Sequence, residues 1–211
     1  MKQLDNFIQE KLKLDKNVRT TECPKNKEEL YDIINNRYNE NHEKLDLTFI
    51  DVSNVYDFED LFKKSIPHLS DVREIIGIED WDMSNALKTI GMFRRLDMVT
   101  KLDLSNWDVH RVCDMTCMFY ECTYLKEVGD LSKWNTKNLK RTNLMFSGCG
   151  ILKSIGDISK WNVDNLENAE YMFQGCKRLR LDISNWPLHM TNGGIKSIGI
   201  NYSAEYVKTR K

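Results

Sequence analysis

The feature that most constrains this chain is one motif, which recurs six times along its 211 residues. The clearest copy runs from Leu102 to Phe119. One apolar residue marks each copy, at intervals of 31, 26, 27, 27 and 25 residues: Ile50, Trp81, Trp107, Trp134, Trp161 and Trp186. A period in this range is typical of a solenoid. Units this small cannot bury their own apolar face, so they must stack, and stacking builds an extended surface.

Each copy begins with an alternating pattern, Leu-x-Leu-x-x-Trp, which predicts a half-buried strand. Two copies place glycine at the first inward position instead of an aliphatic residue. The predicted inward sets are Leu45/Leu47/Ile50, Ile76/Ile78/Trp81, Leu102/Leu104/Trp107, Gly129/Leu131/Trp134, Gly156/Ile158/Trp161 and Leu181/Ile183/Trp186.

A second apolar pattern follows each tryptophan, with spacings of three or four residues. This spacing gathers apolar side chains on one side of a short helix. In one copy, Asp164 and Glu167 have the spacing of a capping box. The sequence therefore predicts a strand, a tight turn and a helix of about three turns in every repeat. The clearest example is Val109, Val112, Met115, Met118 and Phe119.

The string Leu-Asp-Leu-Ser-Asn-Trp-Asp-Val at 102–109, followed by Met-x-x-Met-Phe, resembles the BspA-like subfamily of leucine-rich repeats. The resemblance covers roughly residues 45 to 190. Proteins of this subfamily include bacterial surface antigens, some protist proteins and short phage or mobile-element proteins. The resemblance implies an α/β fold, a right-handed leucine-rich-repeat-like solenoid with one short strand and one short helix per coil.

Outside the repeats the sequence predicts two caps. Residues 1–44 form an N-terminal cap, with a helix from Lys27 to about Tyr38 that begins at a capping box of Asn26 and Glu29. Residues 45–190 form the solenoid of about six repeats. In residues 191–211, Gly193-Gly194 interrupts the repeat, and the tail through Tyr202 and Tyr206 is expected to fold over the last coil.

Charge and hydropathy exclude several roles. With 31 basic and 32 acidic residues, the chain is not built to coat nucleic acid or an anionic membrane through bulk charge. The N-terminus lacks the apolar stretch of a signal peptide, and no window approaches the roughly 18 apolar residues of a membrane helix. We therefore expect a cytoplasmic protein, or one in the host-cell cytoplasm if the gene is phage-borne, without a membrane partner.

The cysteines allow more than one interpretation. Cys122, Cys149 and Cys176 recur every 27 residues, which favours small buried residues in a core ladder. Disulfides between them are conceivable but disfavoured without an export signal. Cys113 and Cys117, with His110, could be zinc ligands. No Cys-x-x-Cys knuckle is present, so plain thiols are favoured and no metal site or cofactor is predicted.

No catalytic motif is recognisable. The sequence has no nucleophile elbow, phosphate-cradling glycine loop or His-Glu-x-x-His helix. The histidines fall at unrelated positions of the repeat. The sequence therefore predicts a protein that is not an enzyme and takes no small-molecule substrate.

The outward strand positions are acidic and hydroxylic, and we call them the acidic strip. Two interpretations stay open: each carboxylate accepts hydrogen bonds from a neighbouring coil, or the strip engages a basic partner or a cation. The first column of outward residues also includes Asp46 and Gly77, and the second includes Thr48 and Glu79. The candidate partner-binding residues are Asp103, Ser105, Asp130, Ser132, Asp157, Ser159, Asp182 and Ser184.

A weaker candidate is a set of basic residues in turns and on predicted helix flanks. A solvated helix face is the plainer interpretation, and a ridge that meets RNA or an acidic protein is the alternative. We call this set the basic flank: Arg94, Arg95, Lys137, Lys140, Arg141, Lys177 and Arg178.

Together these features predict a non-enzymatic protein–protein interaction scaffold with an unidentified protein partner. Nucleic acid is expected to bind only indirectly or weakly. The resemblance implies two narrower alternatives. One is a phage or mobile-element inhibitor of a bacterial defence or nucleic-acid-processing complex, and the other is a surface adhesin or antigen.

Overall fold

The computed structural model describes residues 21–183, 186 and 198–199. The first 20 residues of the predicted N-terminal cap, Ser184 of the acidic strip and nearly all of the predicted tail, including Gly193-Gly194, Tyr202 and Tyr206, lie outside the described residues. The statements below concern the described part of the chain.

The helix predicted before the repeats is present as α1 (Lys27–Glu40). It begins at Asn26, whose side-chain oxygen accepts a hydrogen bond from the Glu29 backbone N–H at 2.9 Å. The Glu29 carboxylate accepts a hydrogen bond from the Lys25 backbone N–H at 2.9 Å. The start of α1 is therefore stabilised by two side-chain-to-backbone hydrogen bonds. One face of α1 enters the core of the first repeat: Leu30, Ile34, Arg37 and Tyr38.

One continuous apolar core runs from α1 to Trp186. Phenylalanine rings from five successive repeats stack within it, with neighbouring centroids 4.9 to 5.8 Å apart. Trp107, Trp134 and Trp161 are buried in the same core. The repeats therefore share the interior that the sequence pattern predicted. The stacked rings are Phe62, Phe93, Phe119, Phe146 and Phe173.

Each later tryptophan is also tied to the preceding repeat through its indole N–H. The acceptor is always the carbonyl three residues before the previous marker residue. A buried indole N–H needs such a partner, because an unsatisfied donor costs about 1–3 kcal/mol. The pairs are Trp107 to Ile78 (2.8 Å), Trp134 to Leu104 (2.9 Å), Trp161 to Leu131 (2.9 Å) and Trp186 to Ile158 (3.1 Å).

Regular strands are confined to the first two repeats of the described chain. Strand β1 (Lys44–Asp46) pairs in parallel with β2 (Glu74–Ile76). In later repeats the same register continues only as isolated parallel bridges, from Lys101 to Glu127 and from Glu127 to Ser154. The expected strand in every repeat is thus reduced to a single bridge in the third to fifth repeats.

The first inward position differs from the prediction in three repeats. Val128 and Ile155 are fully buried there, one residue before the predicted Gly129 and Gly156. The glycines have φ of +82° and +83°, so they add a left-handed residue to the turn, which a side chain disfavours. In the second repeat, similarly, Ile75 is buried while the predicted Ile76 is half-buried.

The predicted three-turn helix does not form. The only α-helix within the described repeats is α2 (Leu61–Ser65), in the first repeat. Elsewhere the segment is a series of three-residue turns, such as Met118 N–H to the Met115 carbonyl at 3.2 Å. The backbone N–H groups between these turns donate to carbonyls of the next repeat instead. The Cys117 N–H donates to the Asn143 carbonyl at 3.0 Å, and the Phe119 N–H donates to the Met145 carbonyl at 2.8 Å.

Left-handed residues explain why the helix is interrupted. An α-helix needs φ near −63°, whereas Cys117 and Glu121 both have φ of +58°. Three-residue turns still place apolar residues inward every three or four positions, so they produce the pattern that predicted a helix. The left-handed residues occupy the same two positions in successive repeats: Asp60, Gly91, Cys117, Leu144 and Tyr171, and Arg95, Glu121, Gly148 and Gly175.

We predict that Gly156→Ala destabilises the fold more than Gly175→Ala. Both sites have positive φ, which costs an alanine about 1–2 kcal/mol. A Cβ on Gly156 would lie only 1.9 Å from Asp130 Oδ1, whereas on Gly175 its nearest contact is an ordinary 3.6 Å. Urea unfolding of both variants measures the difference, and equal losses would show that this close approach is unimportant.

Candidate binding surface

The acidic strip is built from aspartate turns that close within one repeat. Asp103 Oδ1 accepts hydrogen bonds from the Ser105 N–H at 3.2 Å and from the Ser105 hydroxyl at 2.7 Å. Asp157 accepts the same pair from Ser159, at 3.2 and 2.6 Å. The interpretation that a neighbouring coil supplies these donors does not hold for Asp103 and Asp157, because the donor two residues ahead is already in place, as in an Asx-turn.

Successive turns are nevertheless aligned. The Asp130 N–H donates to the Ser105 hydroxyl at 2.8 Å, and a Cβ on Gly129 would lie within 2.5 Å of both that hydroxyl and Asp103 Oδ1. Asp103, Asp130 and Asp157 are exposed, and Asp182 is half-buried. The structure therefore brings the described members of the strip into one column. Partner binding by this column stays a prediction.

Hydrogen bonds keep two of these carboxylates ionised to unusually low pH. The Ser132 backbone N–H, helped by its hydroxyl, lowers the pKa of Asp130 below its usual range. The Ser159 hydroxyl does the same to the pKa of Asp157, which also lies 3.5 Å from Lys160 Nζ. Both side chains are therefore negatively charged at neutral pH.

We predict that these two turns make the fold acid-sensitive. Because their pKa values are lower when folded, their contribution to stability is present above the unfolded value of about 3.9 and is lost as pH falls through the folded value. Asp130→Asn with Asp157→Asn keeps the acceptor oxygen and removes the charge. The thermal midpoint of this variant should depend less on pH than that of wild type below about pH 4, and parallel curves would contradict the assignment.

A second column of turns lies directly after the marker residues and was not predicted. In each repeat the side-chain oxygen accepts from the backbone N–H two residues ahead, at 2.9 to 3.4 Å. An Asp or Asn directly after the marker in the first five copies was the available signal. The charge is uneven, since three carboxylates are followed by two neutral amides: Asp51, Asp82, Asp108, Asn135 and Asn162.

The position just before the marker shows the same gradient. It changes from aromatic and acidic in the early repeats to basic in the later ones. The members are Phe49, Asp80, Asn106, Lys133 and Lys160. The negative charge of this face is therefore concentrated in the first three repeats.

The basic flank does not form one ridge. Arg94 and Arg95 lie 13 and 14 residues after their marker, whereas Lys140 and Arg141 lie six and seven residues after theirs. Four members already have carboxylate partners: Arg94 with Asp60 (3.1 Å), Arg95 with Glu121 (3.5 Å), Lys140 with Glu167 (3.3 Å) and Arg141 with Asp114 (3.3 Å). Within the described residues, Lys137, Lys177 and Arg178 have no ion pair.

Arg141 belongs to a column of alternating charge that joins five repeats through parallel bridges. Lys27 of α1 extends it, with Nζ 2.8 Å from Asp57 Oδ2. Opposite charges at neighbouring positions favour the observed register over a shifted one. These charges therefore have a role in stacking. The members are Asp57, Lys88, Asp114, Arg141 and Asn168.

The three periodic cysteines lie in one ladder. The thiols of Cys122, Cys149 and Cys176 donate to the carbonyl of a phenylalanine in the preceding repeat, at 3.0 to 3.1 Å. Burial raises the pKa of Cys122 and Cys176 to about 12 and that of Cys149 well above its usual value. The prediction of small residues in the core ladder is confirmed for Cys122 and Cys149, and Cys176 is half-buried.

The other candidate thiols do not converge with a histidine. The ring of His110 contacts Asp108 at 2.9 Å, and the Cys113 thiol donates to the Leu87 carbonyl at 3.4 Å. Burial raises the pKa of Cys117. Among the residues the structure describes, no three metal-ligating side chains lie close enough to share an ion.

We predict slow thiol modification at the ladder. Only the thiolate reacts, so Cys122, Cys149 and Cys176 should remain unlabelled by a disulfide reagent in the native protein, while exposed Cys23 reacts. Mass mapping of labelled peptides, with a urea-unfolded sample as the control, measures this. Labelling of Cys149 at the rate of Cys23 would contradict its buried placement.

A search of known families finds the description "Mycoplasma protein of unknown function, DUF285", matching residues 29–153 and 92–194. Together the two matches cover most of the chain. The chain belongs to this family. It is the BspA-like repeat family that the motif resembles, and two overlapping matches are what a repeated sequence produces.

No curated protein and no solved structure matches the chain. In the part of the chain that the structure describes, none of the helices has both the length and the apolar character needed to span a bilayer.

Proposed function

We propose that the chain is a right-handed, leucine-rich-repeat-type solenoid that acts as a non-enzymatic protein-binding scaffold. One observation carries the proposal: inward positions hold the same kinds of residue in every repeat, while several outward positions beside the acidic strip change. The stacked phenylalanines are identical in all five described repeats, whereas the position before the marker is Phe, Asp, Asn, Lys and Lys.

Stacking accounts for the constant residues but not for the variable ones. A solenoid presents its outward residues in columns across several repeats, which suits recognition of a large partner. Because the columns are held by backbone hydrogen bonds between repeats, the surface is rigid before binding. A preformed surface loses less conformational entropy when it binds.

The sign of the charge favours protein over nucleic acid on the acidic face. Nucleic-acid binding depends on neutralising phosphates with Lys and Arg. The face carries Asp103, Asp108, Asp130 and Asp157, and four members of the basic flank are paired with carboxylates. A protein with basic groups is therefore the partner class we propose. The two narrower alternatives, an inhibitor of a bacterial defence complex and a surface adhesin, both fit this partner class and would bind different proteins.

We predict that the triple change Asp103→Asn, Asp130→Asn and Asp157→Asn weakens partner binding without altering the fold. Asparagine keeps the oxygen that closes each turn, as Asn162 does 3.0 Å from the Asp164 N–H, but it removes the charge. The immobilised chain captures partners from host lysate, mass spectrometry identifies them, and titration compares wild type with the variant. A loss of about tenfold corresponds to three weak exposed ion pairs.

The matched control is the triple alanine change, which removes both the charge and the turn. At neutral pH it should lower the thermal midpoint more than the asparagine variant does, because asparagine loses only the charge-dependent part of each turn. Full binding by the asparagine variant would exclude the acidic strip as the interface. Turnover of a small molecule by the chain, with no protein captured, would overturn the scaffold proposal itself.

A further inference from the structure

A cavity of about 420 Å³ opens between the first and second repeats, on the acidic face. Its size is within the range of small-ligand and side-chain pockets. Its apolar part consists of Leu47, Phe49, Ile50 and Gly77. The polar part consists of Thr21, Thr48 and three carboxylates, from Asp51, Asp80 and Asp82.

The cavity lies where the tryptophan ladder begins. Ile50 takes the marker position that tryptophan fills in every later repeat, and a smaller side chain occupies less of the space beside the next marker. The next marker, Trp81, is only 4% exposed, and its indole N–H has no acceptor. In later repeats the indole N–H donates to the backbone carbonyl of the residue equivalent to Leu47. Leu47 itself lines the cavity. Packing between these two repeats therefore differs from the rest of the stack.

The cavity is negatively charged. Hydrogen bonds from Ser53 hold the pKa of Asp51 below its usual range, and Asp82 accepts from the Ser84 N–H at 2.9 Å. No Lys or Arg lines the cavity among the described residues. The equivalents of Asp80 in the fourth and fifth repeats are Lys133 and Lys160, so a carboxylate at this position is found only in the second repeat.

An exposed aromatic ring completes the site. Phe49 is 57% exposed and lines the cavity. Its backbone is left-handed, with φ of +61°. A phenylalanine face attracts cations within about 6 Å, and arginine more often than lysine uses such a contact. The guanidinium group is planar and can also bind a carboxylate through two hydrogen bonds.

We propose that this cavity, together with Phe49, receives an arginine side chain from a basic segment of the partner protein. The inference rests on the scaffold function proposed above and names the chemistry of the partner. The arginine stacks on Phe49, its guanidinium group pairs with Asp80 and Asp82, and its aliphatic stem contacts Leu47 and Ile50. Basic neighbours in the segment face the carboxylates of the next repeat.

The probe is a fluorescein-labelled peptide in which arginine alternates with serine. The reference peptide carries citrulline, which has the same shape without the charge. By fluorescence anisotropy the arginine peptide should bind about tenfold more tightly than the citrulline peptide, and added salt should reduce the difference. Equal binding of the two peptides would overturn the proposal.

The test variant is Asp80→Asn with Asp82→Asn, which copies residues that other repeats already hold: Asn106, and Asn135 with Asn162. We predict a five- to tenfold loss of arginine-peptide binding, an order-of-magnitude figure for two exposed ion pairs. The matched control, Glu28→Gln with Asp32→Asn, removes the same charge from two exposed positions of α1, away from this face, and should leave binding within about twofold of wild type. Equal losses in the two variants would show a diffuse charge effect and overturn the site.

A second variant tests the cavity without changing charge. Phe49→Asn removes the ring and suits a left-handed backbone, which asparagine tolerates. It should weaken arginine-peptide binding at an unchanged thermal midpoint, and unaltered binding would overturn the role of the ring. If the arginine peptide fails to bind while the immobilised chain still captures a protein partner, the proposed arginine site is wrong and the scaffold function is unaffected.

Discussion

The whole structure depends on backbone hydrogen bonds that run from one repeat to the next. In the segment that ends with Met-Phe, every second N–H donates forward, as Gly91, Phe93 and Arg95 do to the carbonyls of the third repeat at 2.8 to 2.9 Å. The N–H groups between them close three-residue turns. All these donors are satisfied without a helix or a long strand, and buried polar groups must be satisfied. The cost within this segment of the second to fifth repeats is a left-handed residue at two positions, about 1–2 kcal/mol where the residue is not glycine.

This bonding places equivalent side chains beside each other. Phenylalanine rings stack near 5 Å, and outward residues form columns at the same spacing, where like charges repel. The chain meets this constraint in two ways. One column alternates in sign, from Lys27 through Asp57 to Arg141. In the acidic strip, Asp103, Asp130 and Asp157 are each stabilised instead by the serine two residues ahead in the same turn.

The same geometry connects the stack to its proposed function. Inward positions are fixed by ring stacking and by the indole and thiol hydrogen bonds, so only outward positions are free to vary. The variation is graded along the stack, from Asp80 and Asp82 in the second repeat to Lys160 and Asn162 in the fifth. A partner with basic groups is therefore expected at the first repeats, beside the cavity that Ile50 leaves where later repeats have tryptophan.

The sequence alone determined the repeat period, the shared interior, the helix α1 and the buried cysteine ladder, because each depends on the spacing of apolar or capping residues. It misassigned the Met-Phe segment as a helix, because three-residue turns and an α-helix place apolar residues at the same spacing. It also placed Gly129 and Gly156 inward, since only the neighbouring repeat shows that Val128 and Ile155 point to the core. The second turn column, the ion pairs of the basic flank and the cavity beside Ile50 were decided by tertiary structure, because each depends on the register between residues about 27 positions apart.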